Sequence, residues 1–277
     1  MSTTLIVGCG DLGTEIGLRL ASSGHRVIGW RRNPPSGDSP IEFDAVDATS
    51  PVTVPSDVSH LVICTAPRRD GSDDYEATYL NGMRHVLNGL RRRPERAVLV
   101  SSTGVYGDLG GRVDEDTPIP DGPPRARTLL AAERMFLAET AGRGTVLRCG
   151  GIYGPGRTRL IDLLLAGEAA LPSGPAMTNR IHRDDAAAAV VHLLGLPEPA
   201  PVYLGVDERP AELAEVLTFL AERLGLPRPP VGSVSRERGG TRACDSSLLR
   251  ASGFAFAYPD YRAGYADMLD RPRQRHP

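Results

Sequence analysis

TTLIVGCGDLGTEIGLRLASSGHRVIGWRR, residues 3–32, has the pattern of a strand, a glycine turn, a helix and a second strand. Residues 5–7 form an apolar run suited to a buried parallel strand, and residues 16–20 continue with helical periodicity. Gly24 then ends the helix before the predicted second strand at 25–30. This order predicts a βαβ unit at the start of a parallel sheet.

The turn of this unit carries glycines spaced G-x-G-x-x-G, namely Gly8, Gly10 and Gly13. In such a motif the first glycine permits the tight turn, the second lets a pyrophosphate approach, and the third lets the helix pack on the strand. The helix begins at Asp11 and Leu12, where unpaired N–H groups and the helix dipole favour phosphate. The pattern predicts a dinucleotide cofactor; the alternative is a glycine-rich turn that binds nothing.

The end of the second strand indicates which nicotinamide dinucleotide is bound. NAD-binding proteins usually place a carboxylate there, whereas NADP-binding proteins place an arginine near the 2′-phosphate. This chain has Arg31 and Arg32, and no carboxylate follows until Asp38. Arginine makes charge-assisted, bidentate bonds with phosphate, so we predict NADP in preference to NAD. The alternative is that both arginines are solvated loop charges.

Segments typical of strands and helices alternate through about residue 150, as repeated βαβ units require. We predict an α/β protein with a Rossmann doubly wound parallel sheet and a small C-terminal substrate lobe. Residues 1–150 would form the dinucleotide-binding domain, and residues 151–270 the lobe plus remaining Rossmann elements. Residues 271–277 are predicted to be a disordered tail. The predicted strands lie near 3–8, 25–30, 41–46, 59–64, 97–101, 144–148 and 202–205. The predicted helices lie near 11–23, 72–92, 126–141, 158–166, 184–194 and 211–224, with further short helices after residue 245.

Composition narrows the class of partner and the compartment. The formal net charge of −2 argues against a nucleic acid or an anionic membrane as partner. The four cysteines, Cys9, Cys64, Cys149 and Cys244, are scattered without metal-ligand spacing, so we predict no metal site. No stretch approaches the roughly 20 apolar residues of a membrane span, and the N-terminal apolar run is too short for a signal peptide. We therefore expect a cytoplasmic protein.

Ligands of doubly wound sheets bind outside the carboxyl ends of the strands. Thr65, Ala66 and Pro67 follow the predicted fourth strand and are expected to line the cofactor. Ser102 stands at the end of the predicted fifth strand, so its hydroxyl is expected at the same edge.

Six landmarks in order resemble the extended short-chain dehydrogenase/reductases, the NAD-dependent epimerase/dehydratase family. They are GCGDLG at 8–13, Asp47 after the third strand, SSTGVYGD at 101–108, VDEDTP at 113–118, LRCGGIYGPGR at 147–157 and IHRDD at 181–185. The resemblance runs over nearly the whole chain and is greatest to atypical members, the YeeZ-like subgroup. It implies a homodimer.

The resemblance also assigns roles to single residues. Asp47 matches the acid that bonds the adenine ring, and Ser102 matches the catalytic Ser/Thr that bonds the reacting oxygen. The family's catalytic Tyr and Lys would fall at Arg125 and Leu129, and the chain contains no lysine at all. Thr103 stands where sugar-nucleotide 4,6-dehydratases have an acid. Together with departures at Gly151 and Thr178, this argues against a nucleotide-sugar substrate.

Without the Tyr-x-x-x-Lys pair, another group must handle the proton. We predict Tyr106 or Tyr153, each followed by glycine near the expected pocket, or a bound water. The alternative is that both tyrosines are half-buried packing residues. Thr103, Arg125 and Arg157 are candidates for binding the substrate, the arginines through an oxyanion or a carboxylate. Either arginine could instead be a solvent-facing charge.

His182 is interpreted as structural, with Asp184 or Asp185 capping the helix that follows. The leading hypothesis is an NADP(H)-dependent oxidoreductase acting on a small polar carbonyl or alcohol. Two alternatives stay open: a non-redox lyase, isomerase or cyclase on the same scaffold, and a non-catalytic protein that senses NADP.

Overall fold

The computed structural model describes residues 2–67, 74–232 and 241–276. The strands are β1 (Thr3–Val7), β2 (Arg26–Arg31), β3 (Ile41–Ala45), β4 (Val58–Ile63), β5 (Arg96–Ser102), β6 (Gly111–Val113), β7 (Gly144–Cys149), β8 (Gly151–Tyr153), β9 (Leu171–Pro172), β10 (Met177–Thr178), β11 (Arg180–His182), β12 (Val202–Gly205), β13 (Ala211–Glu212), β14 (Val231–Gly232) and β15 (Arg242–Cys244). The helices are α1 (Asp11–Ser22), α2 (Gly82–Gly89), α3 (Pro124–Thr140), α4 (Arg159–Leu165), α5 (Arg183–Gly195), α6 (Leu213–Arg223), α7 (Ser247–Ala251) and α8 (Tyr261–Asp270). A π-helical turn (Ala77–Asn81) precedes α2, and a 3-10 turn (Thr103–Tyr106) follows β5.

The main sheet has seven parallel strands in the order β12-β7-β5-β4-β1-β2-β3. The chain winds outward from β1 to β3 on one side, then crosses back to β4 and continues to β12 on the other. This reversal between β1 and β4 is the switch point at which doubly wound sheets bind ligands. The predicted α/β fold with a Rossmann sheet is confirmed.

Two apolar layers cover the sheet, one on each face. On one face α1 packs against α5, with Ile16, Val190 and Leu193 fully buried over Ile6. On the other face α2 and α3 contribute Val86 and Phe136, which are fully buried among the sheet residues. Because parallel strands are covered on both faces, they consist of nearly continuous apolar runs.

The smaller elements after β7 form a lobe with its own core. α4, α6 and α8 enclose Leu164, Val216, Leu220 and Tyr261. Pairs of short strands tie this lobe together, and β15 pairs with β6 beside the loop that follows β5. β12, far along the chain, completes the edge of the main sheet beside β7.

Residues 271–276 differ from the predicted disordered tail. Arg273 pairs with Asp184 of α5 at 2.9 Å and with Asp267 of α8 at 3.0 Å. His276 lies 2.8 Å from Glu15 of α1. The composition, rich in arginine and proline, suggested a solvated tail, but these carboxylates from three helices hold the segment in place. Pro277 lies outside the described residues.

Within the described ranges, no helix is both long and apolar enough to pass through a bilayer. The same part of the chain has no group of three or more His, Cys, Asp or Glu side chains arranged for a metal ion. The four cysteines are free thiols, three of them buried and Cys64 half-buried.

Candidate functional site

The glycine turn between β1 and α1 has the geometry of a diphosphate cradle. Gly8 has a φ of 83°, and a Cβ there would lie 2.7 Å from the backbone nitrogen of Thr65. A Cβ on Gly13 would lie 3.1 Å from the Cys64 sulfur, so the helix packs directly on the strands. Above Gly10, in contrast, a Cβ would meet only the Gly8 carbonyl oxygen at 4.0 Å. The residues present therefore fit a dinucleotide whose phosphates approach the backbone at Gly10.

Asp11, the first residue of α1, is a buried carboxylate held by two arginines. Its side chain is fully buried, and it accepts bonds from Nε of Arg157 at 2.6 Å and from Arg183 at 3.1 Å. Burial alone would raise the pKa of Asp11, but the bonds and charges of Arg157 and Arg183 outweigh it and hold the pKa below its usual value. The cradle is thus tied to α5 and to the loop after β8.

This contact changes the expectation for Arg157. The sequence predicted a grip on an anionic substrate, but the side chain is engaged beside the diphosphate cradle. Arg183, which shares the same carboxylate and is 3% exposed, was missed. It lies in the IHRDD segment, where sequence gives no sign that residues 11 and 183 meet.

Arg31 and Arg32 stand at the end of β2, next to the cradle. The Trp30 carbonyl accepts bonds from the backbone nitrogens of Gly8 and Cys9 at 3.0 and 2.9 Å. Arg31 is half-buried and Arg32 exposed. Both arginines therefore stand beside the glycine turn, at the carboxyl end of β2.

The other predicted cofactor residues lie along the same edge of the sheet. Asp47 is exposed after β3, and its Oδ1 accepts from the Thr49 nitrogen at 3.0 Å and from its hydroxyl at 2.7 Å. Thr65, Ala66 and Pro67 follow β4, with Ala66 exposed and the others half-buried. The structure brings these residues to the carboxyl ends of β3 and β4.

Ser102 ends β5 and caps the short turn that follows it. Its hydroxyl oxygen accepts a bond from the Gly104 nitrogen at 3.0 Å, and the side chain is half-buried. Ser101, its neighbour, points to the opposite face and donates to Glu133 at 2.6 Å. Thr103, a predicted substrate residue, is buried at the start of the turn. Ser102 therefore places a hydroxyl at the carboxyl end of β5, the edge at which doubly wound sheets bind ligands.

Tyr106 occupies a buried polar network, which does not support the predicted role as proton donor. Its hydroxyl donates to the Asp114 carbonyl at 2.8 Å and accepts from Arg148 at 2.8 Å. Arg148 also pairs with Glu133 at 2.7 Å, with both side chains almost fully buried. Burial raises the pKa of Tyr106 to about 12 in spite of the Arg148 charge. The phenol therefore serves the packing of the β5 turn.

Tyr153 is likewise a packing residue, so the second predicted proton donor is also corrected. It is 4% exposed, and its ring lies 4.5 Å from Tyr265 and 5.3 Å from His182, centroid to centroid. A Cβ on Gly264 would overlap the Tyr153 hydroxyl, so α8 presses directly on this group. Burial raises the pKa of Tyr153 well above its ordinary value.

Arg125, at the start of α3, is exposed and stands over a tyrosine that the sequence analysis did not single out. Its guanidinium carbon lies 5.7 Å from the ring centroid of Tyr75, and this ring lies 4.7 Å from that of Tyr79. Both tyrosines are half-buried and pack against the cluster that contains Val105. No sequence motif marked Tyr75, because it is brought to α3 by a different βα connection.

His182 is structural, as interpreted, but the capping assignment was wrong. The helix α5 is capped by His182 itself, whose Nδ1 accepts from the Asp184 nitrogen at 3.2 Å. Asp184 instead pairs with Arg183 and Arg273, and Asp185 accepts from the nitrogens of residues 257 and 258. Burial lowers the pKa of His182 to about 4, so the ring is neutral at physiological pH.

Residues 4–203 match the sequence model of the NAD dependent epimerase/dehydratase family. Protein YeeZ of Escherichia coli K12 is 29% identical over 275 residues, covering 94% of this chain and 97% of that protein.

Two solved structures show the same architecture. A putative NAD-dependent epimerase/dehydratase from Methylobacillus flagellatus is 34% identical with a TM-score of 0.80, covering 97% of this chain and 98% of the other. MoeE5 in complex with UDP-glucose and NAD is 23% identical with a TM-score of 0.83, and the match covers 97% of this chain and 98% of that chain. At this identity the likeness shows a shared fold. The match over residues 4–203, together with the glycine turn and the parallel sheet, shows that this chain belongs to the NAD-dependent epimerase/dehydratase family.

Proposed function

We propose that this protein is an NADP(H)-dependent oxidoreductase that moves a hydride between the nicotinamide and a small polar carbonyl or alcohol. The observation that carries the proposal is the cradle, open above Gly10 and flanked by Arg31 at the end of β2. A guanidinium there favours a 2′-phosphate over a bare ribose hydroxyl. We expect a cytoplasmic homodimer.

The substrate would lie at the ends of β5 and α3. Ser102 supplies a hydroxyl that can bond the reacting oxygen, and Arg125 supplies an exposed positive charge at the start of α3, the next α-helix along the chain. Thr103 is buried, so its part would be to shape the pocket wall. The chain lacks the residues with which relatives grip a nucleotide sugar, which supports a smaller substrate.

Reduction of a carbonyl places a hydride on carbon and a proton on oxygen, so a proton source is required. Tyr106 and Tyr153 are buried, so the proposed proton source is the half-buried Tyr75 or a bound water. Tyr75 is the stronger candidate because the Arg125 guanidinium faces its ring. A positive charge beside a phenol stabilises the phenolate that remains after proton donation.

Because the chain contains no lysine, two alternative functions remain open. A lyase, isomerase or cyclase would use the bound nucleotide without net oxidation or reduction of the substrate. A protein that senses NADP would bind the nucleotide and catalyse nothing. Both would use the cradle in the same way.

Calorimetric titration with NADP and with NAD tests the proposal, followed by a screen of small carbonyl compounds with NADPH. We expect NADP to bind more tightly and the reduced-nicotinamide absorbance to fall as product forms. Turnover without that change would favour the non-redox enzyme. Failure of both nucleotides to bind would overturn the proposal.

A further inference from the structure

The geometry points to a closing segment over the cofactor site. We propose that residues 271–276, here called the strap, close over the cofactor diphosphate and slow its release. The inference rests on the proposed function, because it assumes that a dinucleotide occupies the cradle. It goes further by assigning a retention role to a segment outside the Rossmann sheet.

The first half of the strap is anchored to the lobe and to α5. Arg271 pairs with Asp267, and Arg273 bridges Asp267 at 3.0 Å and Asp184 at 2.9 Å. The carboxylates of Asp267 and Asp184 are 8% and 10% exposed, so these pairs are shielded from solvent on one side. Such partly buried pairs fix the direction in which the strap leaves α8.

The second half of the strap reaches the cradle itself. The Nε of Arg275 lies 3.7 Å from the Asp11 carboxylate, and the His276 nitrogen donates to the same carboxylate at 3.3 Å. The His276 ring lies 2.8 Å from Glu15, one helical turn further along α1. A Cβ on Gly156 would overlap the Cβ of Arg275, so the strap touches the backbone of the loop after β8. The strap therefore crosses the first turn of α1.

The charges around this crossing leave a positive excess. Ion pairs join four carboxylates, Asp11, Glu15, Asp184 and Asp267, with six arginines, Arg19, Arg157, Arg183, Arg271, Arg273 and Arg275. Among these ten described side chains, the arginines outnumber the carboxylates by two. A dinucleotide diphosphate carries one negative charge on each phosphate and would sit at the N-terminus of α1. Bound there, it would balance the network.

The burial of the arginines indicates which part can move. The Arg183 side chain is 3% exposed and that of Arg157 is 18% exposed, so both belong to the fixed floor of the cluster. The Arg275 side chain is 48% exposed, and its contact to Asp11 is the longest of the set. Arg275 can therefore shift from Asp11 to a phosphate oxygen, which offers a charge-assisted bond of better geometry. Entry and exit of the cofactor would require this end of the strap to lift.

The test compares the full chain with a variant ending at Asp270 and with the double variant Arg275→Ala/His276→Ala. Calorimetry gives the NADP dissociation constant, and stopped-flow fluorescence of NADPH gives the rate of release. We expect both variants to bind about tenfold more weakly and to release NADPH faster, as loss of a charge-assisted bond predicts. Far-ultraviolet circular dichroism and urea unfolding establish that each variant is folded. If the shortened chain does not fold, the double variant decides the matter.

Arg223→Ala is the matched control. Arg223 is 41% exposed and pairs with Asp270 at 2.7 Å, close to the start of the strap but away from the cradle. Its removal should leave affinity and release rate unchanged.

Three results would contradict the proposal that the strap retains the cofactor. Unchanged binding and release in both variants would show that the segment has no part in retention. Tighter binding would show that it obstructs the site. Absence of any nucleotide binding by the full chain would overturn the proposed function and the strap together.

Discussion

The Nε atom of Arg157 lies 2.6 Å from the Asp11 carboxylate, although 146 positions separate the two residues in the chain. The contact joins the loop after β8, which borders the lobe, to the first turn of α1. A carboxylate at a helix N-terminus is favoured by the helix dipole as well as by its cation partners. The cofactor cradle and the lobe are therefore coupled through one buried side chain.

Replacing Asp11 by Asn should destabilise the protein strongly. Arg157 and Arg183 would lose a buried carboxylate partner, and a broken buried pair costs about 3 kcal/mol or more. Urea unfolding measures the loss. Asp57→Asn is the control, because Asp57 pairs with Arg26 at a site where both side chains are about half exposed and solvent screens the pair. It should cost much less stability than Asp11→Asn. Equal losses in the two variants would contradict the role given to Asp11.

The same carboxylate should make stability depend on acid pH. Because the pKa of Asp11 is lowered in the folded protein, its contribution is present above the unfolded value near 3.8 and is lost as pH falls through the folded value. Asp11→Asn should therefore flatten the acid limb of the stability curve relative to the parent protein. An unchanged acid limb would count against the ion pair.

Ser101 and Ser102 offer a matched pair on one strand. Ser102→Ala should remove most of the turnover, because it deletes the hydroxyl placed for the substrate oxygen, and should cost about 1 kcal/mol as a lost cap. Ser101→Ala should keep turnover, but its free energy of unfolding should fall by about 2 kcal/mol, since Ser101 donates to the buried Glu133. Turnover of NADPH and urea unfolding measure the two effects. An active Ser102→Ala would remove Ser102 from the mechanism.

Periodicity and glycine spacing predicted the framework well. β1, α1 and β2 lie within a residue or two of the predicted bounds, because their apolar runs are local signals. The short strands β8 and β11 were missed, since a three-residue strand carries no periodicity of its own. Its register comes from a partner about 30 positions away.

The candidate site was predictable only where a local motif defines it. Gly8 and Gly13 could be assigned from spacing, because a tight turn and close packing are local demands. Tyr106 and Tyr153 were misjudged, since burial and the partners Arg148 and Tyr265 are supplied by distant segments. Adjacency to glycine says nothing about which way a side chain points.

Replacing Arg31 and Arg32 together by Ala should weaken NADP far more than NAD. A lost charge-assisted bond to the 2′-phosphate corresponds to at least about tenfold in affinity, while NAD has no phosphate to lose. Calorimetric titration of both nucleotides measures the ratio. Arg223→Ala is a suitable control, since Arg223 is 41% exposed and pairs with Asp270 at 2.7 Å, outside the ion pairs around the cradle. Equal weakening of the two nucleotides would refute phosphate recognition.

Tyr75→Phe should lower turnover by about tenfold to a hundredfold while leaving NADP affinity intact, because it removes a proton donor but no cofactor contact. Tyr79→Phe is the matched control, because its ring lies 4.7 Å from that of Tyr75 and both tyrosines are half-buried. The pH profile of turnover should also change in Tyr75→Phe. Equal activity of the two variants would point to a bound water as the donor.

The ionisation of Asp207 should lower the free energy of unfolding as the pH rises through neutrality. Burial raises its pKa to about 8, against the opposing charge of Arg180, so the folded protein keeps a proton that the unfolded chain loses near pH 3.8. Stability from this group is therefore lost between about pH 4 and about pH 8. Asp207→Asn removes that loss and keeps the oxygen that accepts from the Arg209 nitrogen. The variant should gain more than about 1 kcal/mol over the parent between pH 5 and pH 8 in urea unfolding. His182, with its pKa lowered to about 4, titrates in the same window but is present in both proteins, so its effect cancels in the difference. A difference that stays constant with pH would show that Asp207 is ionised in the fold.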